Sequence, residues 1–191
     1  MIPRTWRRSF LALALLATSA ATFAADSYKI DPVHTNVIFA IEHLGVSKFH
    51  GRFNDVSGTF TIDKANPAAS SIELQIKADS VDTHSEKRDN HIKSPDFFNV
   101  RQFPVITFKS TKISAKGKIW TITGDLSFHG VTRSITVEFE KIGEGNDPWG
   151  NYRAGGLVHF TIKRSDFGIK YMQGPLGDEV EITVNIEGIR G

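Results

Sequence analysis

Histidine is the residue type in this sequence that first suggests chemistry, because imidazole nitrogens bind metal ions. The chain holds seven histidines. His43 and His50 have the same spacing as His84 and His91. On a helix that spacing places two side chains on one side, but about 10 Å apart, which is too far for one ion. We interpret the second pair as part of a solvated helix face, and the sequence predicts no metal site.

Catalysis by a nucleophile has little support in the sequence. There is no cysteine, and no Gly-x-Ser-x-Gly elbow presents a serine. The run Gly143-Glu144-Gly145 begins like a dinucleotide fingerprint, but Pro148 stands where the third glycine belongs. No P-loop is present. The sequence therefore favours a binding protein over an enzyme and predicts no cofactor; a weak hydrolase is the enzymatic alternative.

Three arginines are candidates for contact with the polar end of a ligand: Arg52, Arg88 and Arg153. The planar guanidinium group binds phosphate oxygens bidentately, so each could meet a pyrophosphate or a quinone carbonyl. A structural alternative is that Arg88 pairs with Asp82 or Asp89, because an isolated buried charge is costly. The sequence does not distinguish which arginine meets a ligand.

Arg88 and its two possible partners, Asp82 and Asp89, lie in Ser80–Phe108, the one segment that interrupts an otherwise strand-like chain. Asp82 and Ser85 are both suitable N-caps, and Pro95 cannot continue a helix. We predict one short helical insertion near Asp82–Lys93, which closes one end of a β core. The aromatic residues that follow are expected at that end; they are Phe97, Phe98, Phe103 and Phe108.

Period-two alternation of apolar and polar residues dominates the rest of the chain. It is clear in seven segments, such as Val37–Glu42 and Val180–Glu187, and Val105–Lys109 is an eighth predicted strand. Such alternation indicates strands with one buried face, so the fold class is all-β and antiparallel. Eight strands can close into a barrel that holds side chains or one slim ligand; a sandwich would satisfy the same pattern.

Several short motifs follow one another along the chain in a set order and spacing. They are Val81-Asp82-Thr83, Arg88-Asp89-Asn90-His91, Asp96-Phe97-Phe98, Phe103-Pro104-Val105-Ile106-Thr107-Phe108, Gly124-Asp125-Leu126-Ser127-Phe128-His129-Gly130-Val131-Thr132, Asp147-Pro148-Trp149-Gly150 and Arg153-Ala154-Gly155. In this order and spacing they resemble the YceI-like, polyisoprenoid-binding family. The resemblance spans roughly Asp26 to Gly188 and implies an eight-stranded antiparallel lipocalin-like barrel whose interior takes an isoprenoid chain.

The expected function is binding of a long isoprenoid-type lipid, either a polyprenyl phosphate or a quinone tail, for storage, transport or sequestration. The alternative is a non-catalytic structural or stress-related module whose barrel is filled by its own phenylalanines. The side chains expected to contact the lipid are Val37, Phe39, Ile41, Phe97, Phe98, Phe103, Phe108, Trp120, Phe128, Val137, Phe139 and Phe160.

Residues 1–24 are predicted to be a secretory signal peptide, followed by the lipid-binding domain at residues 25–191. Arg4, Arg7 and Arg8 form a basic start, residues 10–21 are apolar, and cleavage is expected after Ala24. The arginine pair also resembles a twin-arginine signal, and an uncleaved membrane anchor is a further alternative. We expect a periplasmic protein.

The charge of the mature chain bears on its partners. Three of the 23 basic residues and none of the 21 acidic ones lie in the predicted signal peptide. The remaining chain is thus nearly neutral and lacks the basic excess of a nucleic-acid-binding protein. Without cysteine it forms no disulfide, so a single core must stabilise one domain. The expected partner is an isoprenoid lipid or quinone, and a homodimer is compatible with the sequence.

Overall fold

Residues 25–191, the part of the chain that this computed structural model describes, contain eleven β-strands, one α-helix and three short 3-10 helices at Pro67–Ala69, Ala78–Ser80 and Arg164–Phe167. The predicted signal peptide lies outside the described residues. Within them, no helix is long and apolar enough to cross a bilayer. The elements are β1 (Asp26–Ile30), β2 (Asn36–His43), β3 (Ser47–Phe53), β4 (Val56–Ile62), β5 (Ser71–Lys77), β6 (Val81–Asp82), α1 (Glu86–Lys93), β7 (Val105–Lys116), β8 (Ile119–Phe128), β9 (Val131–Asn146), β10 (Tyr152–Lys163) and β11 (Leu176–Arg190).

The strands form one antiparallel sheet that closes on itself. β1 and β2 both pair with β11, at opposite ends of that long strand, so they are two halves of one interrupted strand. β4 pairs with β1 and β3 pairs with β2, so β3 and β4 are also two halves of one strand. β5 pairs with β4 and β6 pairs with β3, so β6 continues β5. When these halves are counted together, the sheet is a closed eight-stranded barrel. The predicted fold class is confirmed, and the sandwich is wrong.

Each of the eight segments predicted from alternation lies in a different one of these eight long strands. The sequence did not indicate β1 and β3, which are the short halves that extend β2 and β4. A tight turn at His129-Gly130 joins β8 to β9. Both residues have positive φ, 51° and 75°, which is the conformation of a type I′ hairpin turn that glycine adopts without strain.

One predicted boundary is wrong. The helix begins at Glu86 rather than near Asp82, because Asp82 belongs to β6. Ser85 is the N-cap and its Oγ accepts from the backbone N–H of Arg88.

Helix α1 lies across one end of the barrel. Its one buried side chain, Ile92, packs with Phe39 and Val81 in a common apolar cluster. Phe98 continues this cluster and also packs on Phe53, with ring centroids 5.9 Å apart. The helix is therefore attached to the inner face of the barrel wall, and it narrows this end without sealing it.

The opposite end of the barrel, which we call the base, is closed by packed side chains. The rings of Tyr28 and Phe60 stack with centroids 4.8 Å apart, and Ile30, Ile62 and Ala154 pack around them, all buried. Burial raises the pKa of Tyr28, and its hydroxyl has no hydrogen-bond partner among the described residues. Packing is thus dense at the base, which leaves the free volume of the barrel toward α1.

Candidate binding cavity

An apolar cavity of about 300 Å³ occupies the barrel between α1 and the base. Its walls are the inward residues of the strands, because period two places every second side chain on the same face. Val137, Phe139 and Phe160 line it and are only half-buried, since they face this open space. The interior is therefore not filled from end to end by its own side chains, as the alternative of a self-filled barrel requires.

Most of the side chains predicted to contact a lipid line this cavity. Phe103 does not, because its ring lies outside the barrel over the β8–β9 turn, 4.8 Å from the His129 ring and against Gly130. Trp120 faces inward, but it lies nearer the base, in a separate small pocket. Those that line the cavity are Val37, Phe39, Ile41, Phe97, Phe98, Phe108, Phe128, Val137, Phe139 and Phe160.

The cavity opens beside α1, at what we call the mouth. His43, Arg88, His91 and Met172 line it there, and Met172 is 40% exposed. The imidazole Nε2 of His91 donates a hydrogen bond to the Asp96 carboxylate, at 2.9 Å. Edge-to-face ring contacts pack this side of the mouth. The centroid of the His91 ring lies 5.1 Å from that of Phe97 and 5.4 Å from that of Tyr171.

The ionisable residues that line the cavity all carry basic side chains. They are His43, Arg88, His91 and Arg164, and among the described residues no carboxylate lines the cavity. The wall below them is hydrocarbon, and Arg88 forms no salt bridge with a carboxylate of the described residues. This distribution favours a ligand with an apolar chain and a polar or anionic end at the mouth.

Arg88 is positioned by Thr83 rather than by a carboxylate. Its Nε donates to the Thr83 hydroxyl at 2.7 Å, and a terminal nitrogen donates to the Thr83 carbonyl. The Thr83 hydroxyl in turn donates to Asp89. The guanidinium lies over the Phe49 ring, 4.8 Å from its centroid, a favourable cation–π distance. The expected ion pairs of Arg88 with Asp82 or Asp89 are absent from the described part of the chain.

Arg52 carries the ion pair that was expected of Arg88. Its side chain is half exposed and lies 3.3 Å from Asp82. Asp82 also accepts from the backbone N–H of His84 and from Asn54, and these bonds together lower its pKa to about 2. Arg52 does not line the cavity, because β3 directs it outward, so it is not in position to meet a ligand's head there.

Arg153 lies near the base, far from the mouth. Its guanidinium binds Asp147 at 2.7 Å, Asp31 at 2.6 Å and Glu187 at 2.7 Å. Burial would raise the pKa of Asp31, but hydrogen bonds from His34 and Arg153 outweigh it and hold the pKa at about 2. Arg153 is thus committed to three carboxylates and lies outside the cavity lining.

The same network contains the one group of the described residues with metal-ligating geometry. Ligand atoms of Asp31, His34 and Glu187 all lie within 4.8 Å of one another. Arg153 already binds both carboxylates, so a guanidinium occupies the place that a cation would take. We interpret this group as a structural ion-pair cluster that joins the start of β10 to β11.

Arg164 is a buried basic residue at the cavity that the sequence did not single out. Its guanidinium donates to four backbone carbonyls, those of Ile169, Tyr171, Leu176 and Gly177, at 2.7 to 3.2 Å. Burial lowers its pKa. These bonds fix the chain between β10 and β11, which forms one wall of the mouth.

Strand periodicity carried a signal for both Arg164 and His43. Arg164 follows Phe160 and Ile162 at even spacing, and His43 follows Phe39 and Ile41 in the same way. Each therefore continues an inward-facing series beyond its last apolar member. A polar residue at such a position marks the point where a barrel interior reaches its rim.

A closed eight-stranded antiparallel barrel around an apolar cavity, with a helix at its mouth, defines the class of lipocalin-like barrels. Residues 28–188 match the model of the YceI-like domain family, and the chain belongs to this family. A UPF0312 protein of Pseudomonas paraeruginosa is 46% identical over 189 residues, which cover 96% of this chain and 98% of the relative.

Solved structures show the same fold. BcnA of Burkholderia cenocepacia superposes with a TM-score of 0.73 at 23% identity, and the match covers 83% of this chain and 98% of BcnA. A polyisoprenoid-binding domain from Saccharophagus degradans superposes with a TM-score of 0.65 at 16% identity, over 86% of this chain and 98% of that domain. The barrel implied by the family resemblance is thus a fold that these solved structures share.

Proposed function

We propose that the protein binds a long-chain isoprenoid-type lipid, with the chain in the barrel cavity and the polar head at the mouth beside Arg88. The observation that carries the proposal is the cavity itself, whose wall is hydrocarbon and whose ionisable lining residues are all basic. The likeness of the fold to a polyisoprenoid-binding domain supports the same chemistry. The lipid is either a polyprenyl phosphate or a long-tailed quinone.

Arg88 favours an anionic head. Two of its nitrogens are bound by Thr83 and none by a carboxylate of the described residues, so its charge is available to a ligand. A hydrogen bond to a charged group contributes about 1.5–3 kcal/mol. Because Arg88 is held by Thr83 and Phe49 before any ligand arrives, little conformational freedom is lost on binding.

The apolar chain supplies most of the affinity. Burial of one methylene contributes about 0.8 kcal/mol, so ten to fifteen well-packed carbons contribute about 8–12 kcal/mol. Association costs at least about 4 kcal/mol in lost translation and rotation. The remainder of about 4–8 kcal/mol, together with about 1.5–3 kcal/mol from the Arg88 contact, corresponds to a dissociation constant between about 0.1 mM and about 10 nM, a range centred near micromolar binding. Binding alone suffices for storage, transport or sequestration of the lipid.

We further propose that these events take place in the periplasm, after removal of residues 1–24. The support is the basic start, the apolar run and the small residues before Ala25. A lipid carrier in that compartment would shield an isoprenoid chain from water between membranes.

The test is a binding measurement with matched lipids. Delipidated protein is titrated with a polyprenyl phosphate, the uncharged polyprenol of equal length and a long-tailed quinone. Native mass spectrometry of protein from its own periplasm reports any lipid already bound. We expect micromolar or tighter binding of at least the phosphate; no uptake of any of the three lipids would refute the proposal.

Arg88→Leu tests the head-group contact. It should weaken binding of the polyprenyl phosphate about 10- to 100-fold, the range that 1.5–3 kcal/mol implies, and leave binding of the polyprenol unchanged. Arg52→Leu is the matched control, because that arginine is held outside the cavity by Asp82. Equal loss of both lipids, or equal loss in both variants, would contradict a direct role for Arg88.

A further inference from the structure

A second, smaller pocket of about 50 Å³ lies between the cavity and the base. Trp120 and Phe60 line it toward the base, and Lys141 lies beside Trp120 with its Nζ 6.0 Å from the ring centroid. The two spaces are neighbours along the barrel axis. The residues that line both of them, and so separate them, are Ile72, Ile122, Phe139 and Ile186.

Phe139 is the largest side chain of this partition. It lies on β9 opposite Trp120 of β8 and Val158 of β10. Its ring extends over Gly156, where a Cβ atom would lie 2.4 Å from the ring Cζ. A side chain at Gly156 would collide with both the ring and the Glu140 carbonyl oxygen, so glycine at this position lets the Phe139 ring pack against the backbone of the neighbouring strand β10, between the cavity and the small pocket.

We propose that Phe139 is the floor of the lipid-binding cavity and sets the longest isoprenoid chain that the protein accepts. The inference rests on the proposed function and adds a specificity-determining residue to it. A chain that enters at the mouth meets the ring before it reaches the small pocket. Removal of the ring joins the two spaces and lets the chain end extend toward Trp120.

The geometry gives the size of the effect. Phe139 and Lys141 are two residues apart on β9, which corresponds to roughly 5 Å along the axis of a barrel with tilted strands. One extended isoprene unit has about this length. Loss of the ring should therefore shift the preferred chain by about one unit, and a larger ring at the same position should shift it in the opposite direction.

The experiment uses the uncharged polyprenols as a graded length series. Delipidated full-length mature protein is incubated with an equimolar mixture, and native mass spectrometry gives the length distribution of the bound fraction. We expect Phe139→Ala to move the distribution toward longer chains and Phe139→Trp toward shorter ones. Phe139→Leu is a milder variant that keeps the test valid if the alanine variant does not fold.

Phe160→Leu is the matched control. Phe160 lines the cavity but not the small pocket, so the same truncation adds volume above the floor and should leave the length limit unchanged. An unshifted distribution in every Phe139 variant, with polyprenols bound by the wild type, would overturn this inference alone. If the wild type binds no isoprenoid of any length, the proposed function and this inference both fail.

Discussion

Substitution of Val137 by phenylalanine should stabilise the lipid-free protein and weaken its binding of lipid. Val137 faces the cavity and is only half-buried, so a larger apolar side chain has free space to enter. Phenylalanine is preferable to tryptophan because a buried indole N–H without an acceptor would cost about 1–3 kcal/mol. The two effects have opposite signs because the new ring and the lipid compete for one volume.

The magnitudes follow from the added atoms. Phenylalanine has four more side-chain carbons than valine, and at about 0.8 kcal/mol each the upper limit is about 3 kcal/mol. Side-chain entropy and imperfect packing reduce the gain to about 1–2 kcal/mol. For a domain of this size that raises Tm by about 2–8 °C. The same four carbons of lipid, displaced toward the mouth, lose about 3 kcal/mol, or roughly 200-fold in affinity.

The assay is thermal unfolding of delipidated protein, followed by titration with polyprenol. Val56→Phe is the matched control, because Val56 is 4% exposed and belongs to the packed core without lining the cavity. Overpacking there should cost about 1–3 kcal/mol and lower Tm. If Val137→Phe also lowers Tm by that amount, the cavity is not open space and the reasoning from it is wrong.

Four further outcomes are expected. Asp31 has a pKa of about 2 in the folded protein against an ordinary 3.8, so its charge stabilises the fold above about pH 4, and this contribution disappears as the pH falls toward 2. The difference in unfolding free energy between wild type and Asp31→Asn should therefore shrink over that range. A difference that stays constant would argue against a stabilising charge on Asp31. Tyr28→Phe removes a buried hydroxyl without a partner, so Tm should be unchanged or higher, whereas a loss above about 1 kcal/mol would reveal a hydrogen bond that the hydroxyl makes. Arg164→Lys cannot reach four carbonyls at once and should lower the unfolding free energy by about 2 kcal/mol or more in a denaturant titration; equal midpoints would show that the mouth does not depend on it. The intact mass of the exported protein should correspond to a chain that begins at Ala25, and full-length chain in the membrane fraction would contradict cleavage.

The strands were predictable from the sequence because alternation reports burial directly, whereas the choice of a barrel over a sandwich came from the family resemblance. In β11, for example, Val184 and Ile186 are buried, while Glu181, which lies between the inward-facing Val180 and Ile182, is exposed. Each strand carries the same information independently. Closure of the sheet into a barrel was harder to predict from the sequence, because it depends on the pairing of β1 and β3. These short segments acquire their role only through pairing with strands that lie far away in the sequence.

The site was harder to predict because it depends on which partner each side chain finds. Arg153 is neutralised by Asp31, which lies 122 positions earlier in the chain, and no local pattern announces that contact. Trp120 does face inward, but the level at which an inward residue lies depends on the stagger of neighbouring strands. Arg88 was recognised as important, although its support by Thr83 rather than Asp82 reflects the exact end of β6.

The closed base has a kinetic consequence for a lipid bound as proposed. Because Tyr28, Phe60 and their buried neighbours pack at that end, we expect a chain to enter and leave by the mouth, with its tail the first part in and the last part out. Release then requires every buried isoprene unit to be withdrawn along the barrel. The dissociation rate should fall steeply as the chain lengthens, while the association rate changes little, so residence time rather than capture would discriminate between long and short lipids.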